Sequence, residues 1–281
     1  MKRALATSLL TLLIVCVSSV ADGDTNKRPK VVVAVIDTGI DESLMSQPWI
    51  CKEGHKDFTG VGIKDNHGHG THIAGLVEQY AKGVVLTLGK NKPSDIDDAK
   101  ADFCIIVIKY YDPKTPNNDN IASTIASFKW AIDRKVDIIN YSGGGGDFSK
   151  EEFKVVQLAL NKGIKIVAAA GNEHSNIDEH KYYPAMYDDR IIKVGNLVSD
   201  RVIKRPIITS KLEGLKLVIK KEVLFERDIA ASSNYGSSVN AWEIGSGVIS
   251  RLPTKSWGYM TGTSQATAIK SGKIVREMLS K

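Results

Sequence analysis

Three short segments hold side chains suited to proton transfer and nucleophilic attack. The first is Asp37-Thr38-Gly39, an acid at the end of an apolar run over residues 31–36, followed by a glycine turn. A turn-capping aspartate has the same appearance. The second is His67-Gly68-His69-Gly70-Thr71-His72, where glycines on either side of His69 allow close backbone approach and an apolar helical stretch follows. Its histidines also raise a metal reading, but His69 and His72 are three apart, and no neighbouring acid completes a His-Glu-x-x-His zinc motif. The third is Thr261-Gly262-Thr263-Ser264-Gln265-Ala266, a small-residue turn leading into a helix. A serine there is either a helix cap or a nucleophile set beside backbone N–H groups that can hold an anion.

Each segment alone is ambiguous. Their order, Asp then His then Ser, narrows the chemistry. Serine is a poor nucleophile at neutral pH and needs a positioned base, and the base needs an acid to fix its tautomer. Of the orders in which such triads occur, this one differs from the chymotrypsin and α/β-hydrolase orders.

These residues require a scaffold that brings three distant positions together. Continuous apolar runs at 31–36, 104–108, 136–140, 164–169 and 191–194 read as parallel strands buried on both faces. Between them, Ile121, Ile125, Phe128 and Ile132 share a helical face. Ser149-Lys150-Glu151-Glu152 forms a capping box for a helix that closes near Gly163. Strands alternating with helices predict an α/β fold, a three-layer αβα sandwich around a mainly parallel sheet. Around Glu213-Gly214, interleaved charged and apolar residues predict an exposed β-hairpin near 202–228.

Residues 1–21 differ from the rest. Lys2 and Arg3 precede an apolar stretch, and Ser19-Val20-Ala21 places small residues where a signal peptidase reads, so a signal peptide over 1–21 and one domain over 22–281 are expected. Val15 before Cys16 argues against a lipoprotein site. Loss of Lys2 and Arg3 leaves 36 basic against 32 acidic residues, a mild excess spread along the chain. No aromatic-plus-basic motif appears, so no nucleic-acid partner is expected, and no membrane association after signal removal. Cys104 lies in an apolar run and reads as a buried free thiol; one disulfide with Cys51 is the alternative.

The sequence resembles the subtilase family of serine peptidases over residues 31–275. The carrying segments are Ile36-Asp37-Thr38-Gly39, His69-Gly70-Thr71-His72-Ile73-Ala74-Gly75 and Gly262-Thr263-Ser264-Gln265-Ala266. Ala168-Ala169-Ala170-Gly171-Asn172, Ile139-Asn140-Tyr141-Ser142-Gly143-Gly144, Ser233-Asn234-Tyr235-Gly236 and Tyr183-Pro184-Ala185 match further. The resemblance implies a subtilisin-like peptidase domain with catalytic Asp37, His69 and Ser264, oxyanion donor Asn172, and a substrate edge at Ser142, Gly143 and Gly144. It implies a secreted or periplasmic serine endopeptidase of broad specificity, monomeric, acting on protein or peptide substrates. The alternatives are a catalytically silent peptide-binding relative and a metal hydrolase using His67, His69 and His72.

Several positions depart from the family pattern. About nine residues separate the expected cleavage site from residue 31, so a separate inhibitor or chaperone chain is one expectation in place of a propeptide. No cofactor is expected to be required. Calcium is the one ion the resemblance raises, and Ser46 stands where it would place a carboxylate; Asp95, Asp97 and Asp98 read as a solvated loop. Ala268 replaces a proline, and Gly143 stands where many relatives carry a larger apolar residue. Tyr182 aligns at the base of the primary specificity pocket and predicts a shallow pocket for small P1 residues. The 202–228 hairpin is an insertion relative to compact members.

Overall fold

The computed structural model describes residues 30–86, 101–115, 120–213 and 216–281, with the backbone alone for 202–213 and 216–226. The expected leader at 1–21 and the acidic residues Asp95, Asp97 and Asp98 lie outside the described residues.

The apolar runs form the central strands: β1 (Val31–Asp37), β3 (Phe103–Lys109), β4 (Ile138–Tyr141), β5 (Lys165–Ala169) and the start of β6 (Ile192–Glu213). A two-residue strand, β2 (Lys56–Asp57), lies at one edge, β7 (Lys216–Ile229) at the other, and β8 (Ala241–Glu243) pairs with β6. The order is β2-β3-β1-β4-β5-β6-β7, parallel throughout except for the antiparallel β6–β7 pair. A separate hairpin joins β9 (Val248–Leu252) to β10 (Ser256–Met260).

β1 shows why the strands read as unbroken apolar runs. All seven of its residues are buried. Val31, Val33 and Val35 pack with Ile73, Leu76 and Val77 of α1 (His69–Lys82) and with Ala266, Ile269 and Val275 of α4 (Thr263–Leu279). Val32, Ala34 and Ile36 face the opposite layer, against Phe128, Ala131 and Ile132 of α2 (Asn120–Asp133) and Val155, Val156 and Ala159 of α3 (Lys150–Asn161). Alternate side chains thus serve two helical layers, which gives the αβα sandwich.

The chain runs from β1 through α1 to β3 on one side, then through α2 to β4 on the other. Strand order therefore reverses at β1, and the crevice beyond the carboxyl ends of β1 and β4 is where open α/β sheets place their ligands.

The hairpin forms as expected, with Glu213 opposite Lys216 and pairing back to Val202 opposite Arg227. Three expectations need correction. Cys104 is not a free thiol: it is disulfide-bonded to Cys51, with Cα atoms 4.9 Å apart across a sequence separation of 53. Ile121 is exposed, and the buried side of α2 instead includes Ser123, Thr124 and Ser127. Local bonds make that burial tolerable: Ser127 Oγ donates to the Ser123 carbonyl, and Thr124 Oγ1 lies 3.2 Å from the Tyr141 hydroxyl. The capping box is half realised. Ser149 Oγ accepts from Glu152 N, but the buried Tyr187 hydroxyl stands between Ser149 N and the Glu152 carboxylate, accepting from one and donating to the other.

Candidate active site

Asp37 ends β1, is 2% exposed, and accepts a 2.7 Å hydrogen bond from His69 Nδ1. Its Oδ1 also accepts from Thr38 N. His69 is the first residue of α1, so the placement of the pair depends on how α1 meets the turn after β1. Two glycines decide that. A Cβ on Gly70 would collide with the backbone of Gly39, and Gly39 itself has φ +111°. Helix and turn therefore touch through backbone alone, and His69 is delivered against Asp37.

The α1 N-terminus has no local side-chain cap; Gly68 stands at the cap position with φ +95°. Its orphan N–H groups find distant acceptors. Gly70 N donates to Thr38 Oγ1, and Thr71 N donates to Asp65 Oδ2. A carboxylate at a helix N-terminus is favourable for charge as well as for hydrogen bonding.

Around His69, burial works against protonation. The charge and hydrogen bond of Asp37, with a contribution from the charge of Asp65, outweigh it and hold the imidazole above its ordinary value. His72, one turn on, is fully buried and pushed down to about 4, chiefly by burial. Its Nε2 lies 3.2 Å from the Gly258 carbonyl. The His67 and His69 rings meet edge to face at 6.1 Å.

Ser264 lies in the first turn of α4, and its backbone N–H has no acceptor within the helix there. Its hydroxyl donates to the Ser142 carbonyl at 2.8 Å, while Ser142 Oγ donates to the Ser264 carbonyl at 3.1 Å. In this conformation the hydroxyl is turned to Ser142, and among the described residues no hydrogen bond joins it to His69.

Asn172 follows β5. Its Oδ1 accepts from Thr263 N at 2.9 Å and from Thr263 Oγ1 at 3.2 Å, which leaves Nδ2 as the free end of the amide. The loop carrying it is held by Asn234, whose Oδ1 accepts from Glu173 N and Ser175 N and whose Nδ2 donates to the Ala170 carbonyl.

Ser142, Gly143 and Gly144 continue from β4. Gly145 is already paired with Tyr183 in both directions, so the bare edge is short. The Tyr182 ring lies where a Cβ on Gly144 or on Gly171 would stand, and so bridges the substrate edge and the Asn172 loop. Burial and the charge of Glu173 push its phenol up to about 12. The Tyr110 hydroxyl similarly takes the space of a side chain at Gly143.

The structure thus brings Asp37, His69, Ser264, Asn172, Ser142, Gly143 and Gly144 to one sheet edge. Residues not singled out from the sequence support them. Asp65 is the clearest. Thr263 orients Asn172, and Asn234 braces its loop. Lys109, fully buried at the end of β3, binds Asp112 and the Lys64 carbonyl, while Asp112 accepts from Asn66 and so secures the loop before α1. Burial disfavours the Asp112 charge, but Lys109 and its other donors more than compensate, and its carboxyl falls to about 2. A hint of Asp65 exists in Asp65-Asn66-His67-Gly68-His69, where an acid precedes the histidine by four positions. The other partners are far apart in sequence.

The family model described as the subtilase family matches residues 28–276, and the chain belongs to that family, a class of serine endopeptidases. It is 27% identical over 258 residues to the major intracellular serine protease of Bacillus subtilis (strain 168), covering 88% of this chain and 68% of that protein. It is 28% identical to subtilisin amylosacchariticus of Bacillus subtilis subsp. amylosacchariticus, covering 86% of this chain and 54% of that one, so it spans about half the length of that relative. A crystal structure of a cold adapted subtilisin-like serine proteinase superposes with a TM-score of 0.61 at 21% identity, covering 89% of this chain and 76% of the other. That likeness establishes the subtilisin-like fold.

Proposed function

We propose that this protein is a serine endopeptidase in which Ser264 is the nucleophile, His69 the general base and acid, Asp37 its orienting acid, and Asn172 an oxyanion donor. The observation that carries this reading is the 2.7 Å bond from His69 Nδ1 to buried Asp37, at the sheet edge where Ser264 and Asn172 also lie. That bond fixes the tautomer with Nε2 free to accept a proton.

In the proposed reaction, the Ser264 hydroxyl rotates from the Ser142 carbonyl toward His69 and attacks the scissile carbonyl as Nε2 takes its proton. Looser geometry before substrate binds is common for such pairs. The oxyanion is held by Asn172 Nδ2 and the Ser264 N–H. His69 returns its proton to the leaving amine, and water hydrolyses the acyl-enzyme by the reverse sequence. Activity rises with pH through a midpoint above the ordinary imidazole value of ~6.5, because His69 must be neutral to act.

Substrate main chain pairs with the short edge at Ser142, Gly143 and Gly144, a mode that reads backbone more than side chains and supports broad specificity. Tyr182, wedged against Gly144 and Gly171, restricts P1 to small residues. A secreted or periplasmic location is supported by the leader pattern in residues 1–21 and by the Cys51–Cys104 disulfide, since disulfides persist in oxidising compartments. No helix of the described residues is long and apolar enough to cross a membrane. We further propose a monomer that requires no calcium, with Ser46 in place of a ligand carboxylate.

One observation favours the silent peptide-binding alternative: the Ser264 hydroxyl is bonded to Ser142 and not to His69. Casein hydrolysis decides between them. The expected result is cleavage abolished by a serine-directed phosphonate and by Ser264→Ala, and insensitive to chelation. Absence of cleavage by the intact chain supports the silent relative, and cleavage that survives Ser264→Ala but stops with a chelator supports a metal hydrolase.

A further inference from the structure

Asp65 lies in the loop between β2 and α1 and is 3% exposed. Its carboxylate accepts five hydrogen bonds. Oδ1 takes Thr38 Oγ1 at 2.9 Å, His67 N at 3.0 Å and Gly68 N at 2.7 Å. Oδ2 takes Thr71 N at 2.8 Å and Thr71 Oγ1 at 2.6 Å. All five donors are neutral, and among the described residues no salt bridge is made to this carboxylate.

The donors are adjacent to the catalytic pair. Thr38 follows Asp37, Gly68 precedes His69, and Thr71 lies two residues beyond it. One carboxylate therefore fastens the end of β1 to the first turn of α1. Thr38 Oγ1 extends the tie by accepting from Gly70 N. A negative charge held in so buried a position also acts through space on a nearby imidazole.

We propose that Asp65 is a second acid of this site: a positioning residue that locks Asp37 and His69 into one unit and favours the protonated His69 formed during the reaction. This rests on the serine-peptidase reading of Ser264 and His69. It assigns Asp65 two separable effects, one of geometry and one of charge. The acids whose charge favours protonated His69 are Asp37 at the end of β1 and Asp65 in the preceding loop, while His72 in α1 is coupled to His69; the His67 ring lies beside it, and Tyr110, just after β3, is coupled to Asp37. Of the two acids, Asp37 bonds the imidazole directly, while the hydrogen bonds of Asp65 go to Thr38, His67 N, Gly68 N and Thr71, so substituting Asp65 removes none of the hydrogen bonds made to the imidazole itself.

The test is an NMR titration of the His69 imidazole in Ser264→Ala, with and without Asp65→Asn, together with kcat/KM against pH for Asp65→Asn alone. The His69 midpoint is expected to fall by roughly half a pH unit. The acid limb of kcat/KM should move down by the same amount, and kcat should drop severalfold. Thr71→Val removes one tie but keeps the charge; it should lower Tm and leave the midpoint in place. A His69 midpoint unchanged by Asp65→Asn, with Tm lowered, would overturn the proposal and leave Asp65 a brace only. If Asp65→Asn does not fold, Asp65→Glu decides: an unmoved midpoint with lowered Tm supports the role of charge, and a midpoint that falls despite the retained charge overturns it. The titration needs no turnover, so it stays informative even if the intact chain proves inactive, an outcome that would count against the peptidase reading alone.

Discussion

The two halves of the candidate site are built differently. In the half formed by β1 and α1, Asp37 and His69 are hydrogen-bonded, and the segments around them share Asp65, Thr38 and the Gly39–Gly70 contact. In the half formed by β4, β5 and α4, Asn172 is oriented by Thr263, but the Ser264 hydroxyl rests on a backbone carbonyl. On the proposed reading the Asp37–His69 pair is already set, whereas the Ser264 hydroxyl must first leave the Ser142 carbonyl. Proton acceptance tolerates little error in tautomer or angle, whereas a staggered hydroxyl rotates at little cost.

This contrast can be broken most sharply at Asp37. Asp37→Asn should lower kcat by about 10⁴-fold, near the size known for the corresponding acid of subtilisin, a member of the same family. A loss below about 100-fold in a pre-steady-state assay would show that the first half is not what holds the base. Asn172→Ala should reduce kcat by roughly 10²–10³-fold with KM little changed, again the scale found in subtilisin. A loss confined to KM would place Asn172 in substrate binding.

Asp112→Asn tests the support behind the first half. Losing one partner of the buried Lys109 pair should destabilise by about 3 kcal/mol at neutral pH, read from urea unfolding. Because the folded Asp112 carboxyl is depressed to about 2, its stabilising contribution is present above the unfolded value of ~3.9 and is lost as pH falls toward 2, so the mutant and parent curves should converge across that window. The smallest effect is expected at Ser142→Ala. The carbonyl that holds Ser264 remains, so kcat should change by less than about threefold, while stability falls by about 1 kcal/mol because buried Asn140 Nδ2 loses its partner.

The halves also differed in legibility. Unbroken apolar runs such as 31–36 announce strands buried on both faces, and three motifs ending such runs or opening helices point to one sheet edge. What lay beyond reach depends on contacts between distant residues. Cys51 and Cys104 are 53 positions apart, and only the fold shows their backbones 4.9 Å from one another. The Ser149–Glu152 pattern carries no trace of Tyr187 entering its capping box. Helical spacing puts Ile121 inside, yet hydroxyl pairing by Thr124 and Ser127 lets polar residues take that side. Asp65 has its meaning from donors on both sides of His69 and from Thr38, a set that no local spacing defines.

The Tyr110 hydroxyl beneath Gly143 has a consequence for how this site can change. Backbone conformation does not forbid a side chain at 143; the phenol does. A side chain at position 143 therefore meets the Tyr110 hydroxyl, so the two positions are coupled: a larger residue at 143 requires the Tyr110 ring to move or to be replaced by a smaller side chain.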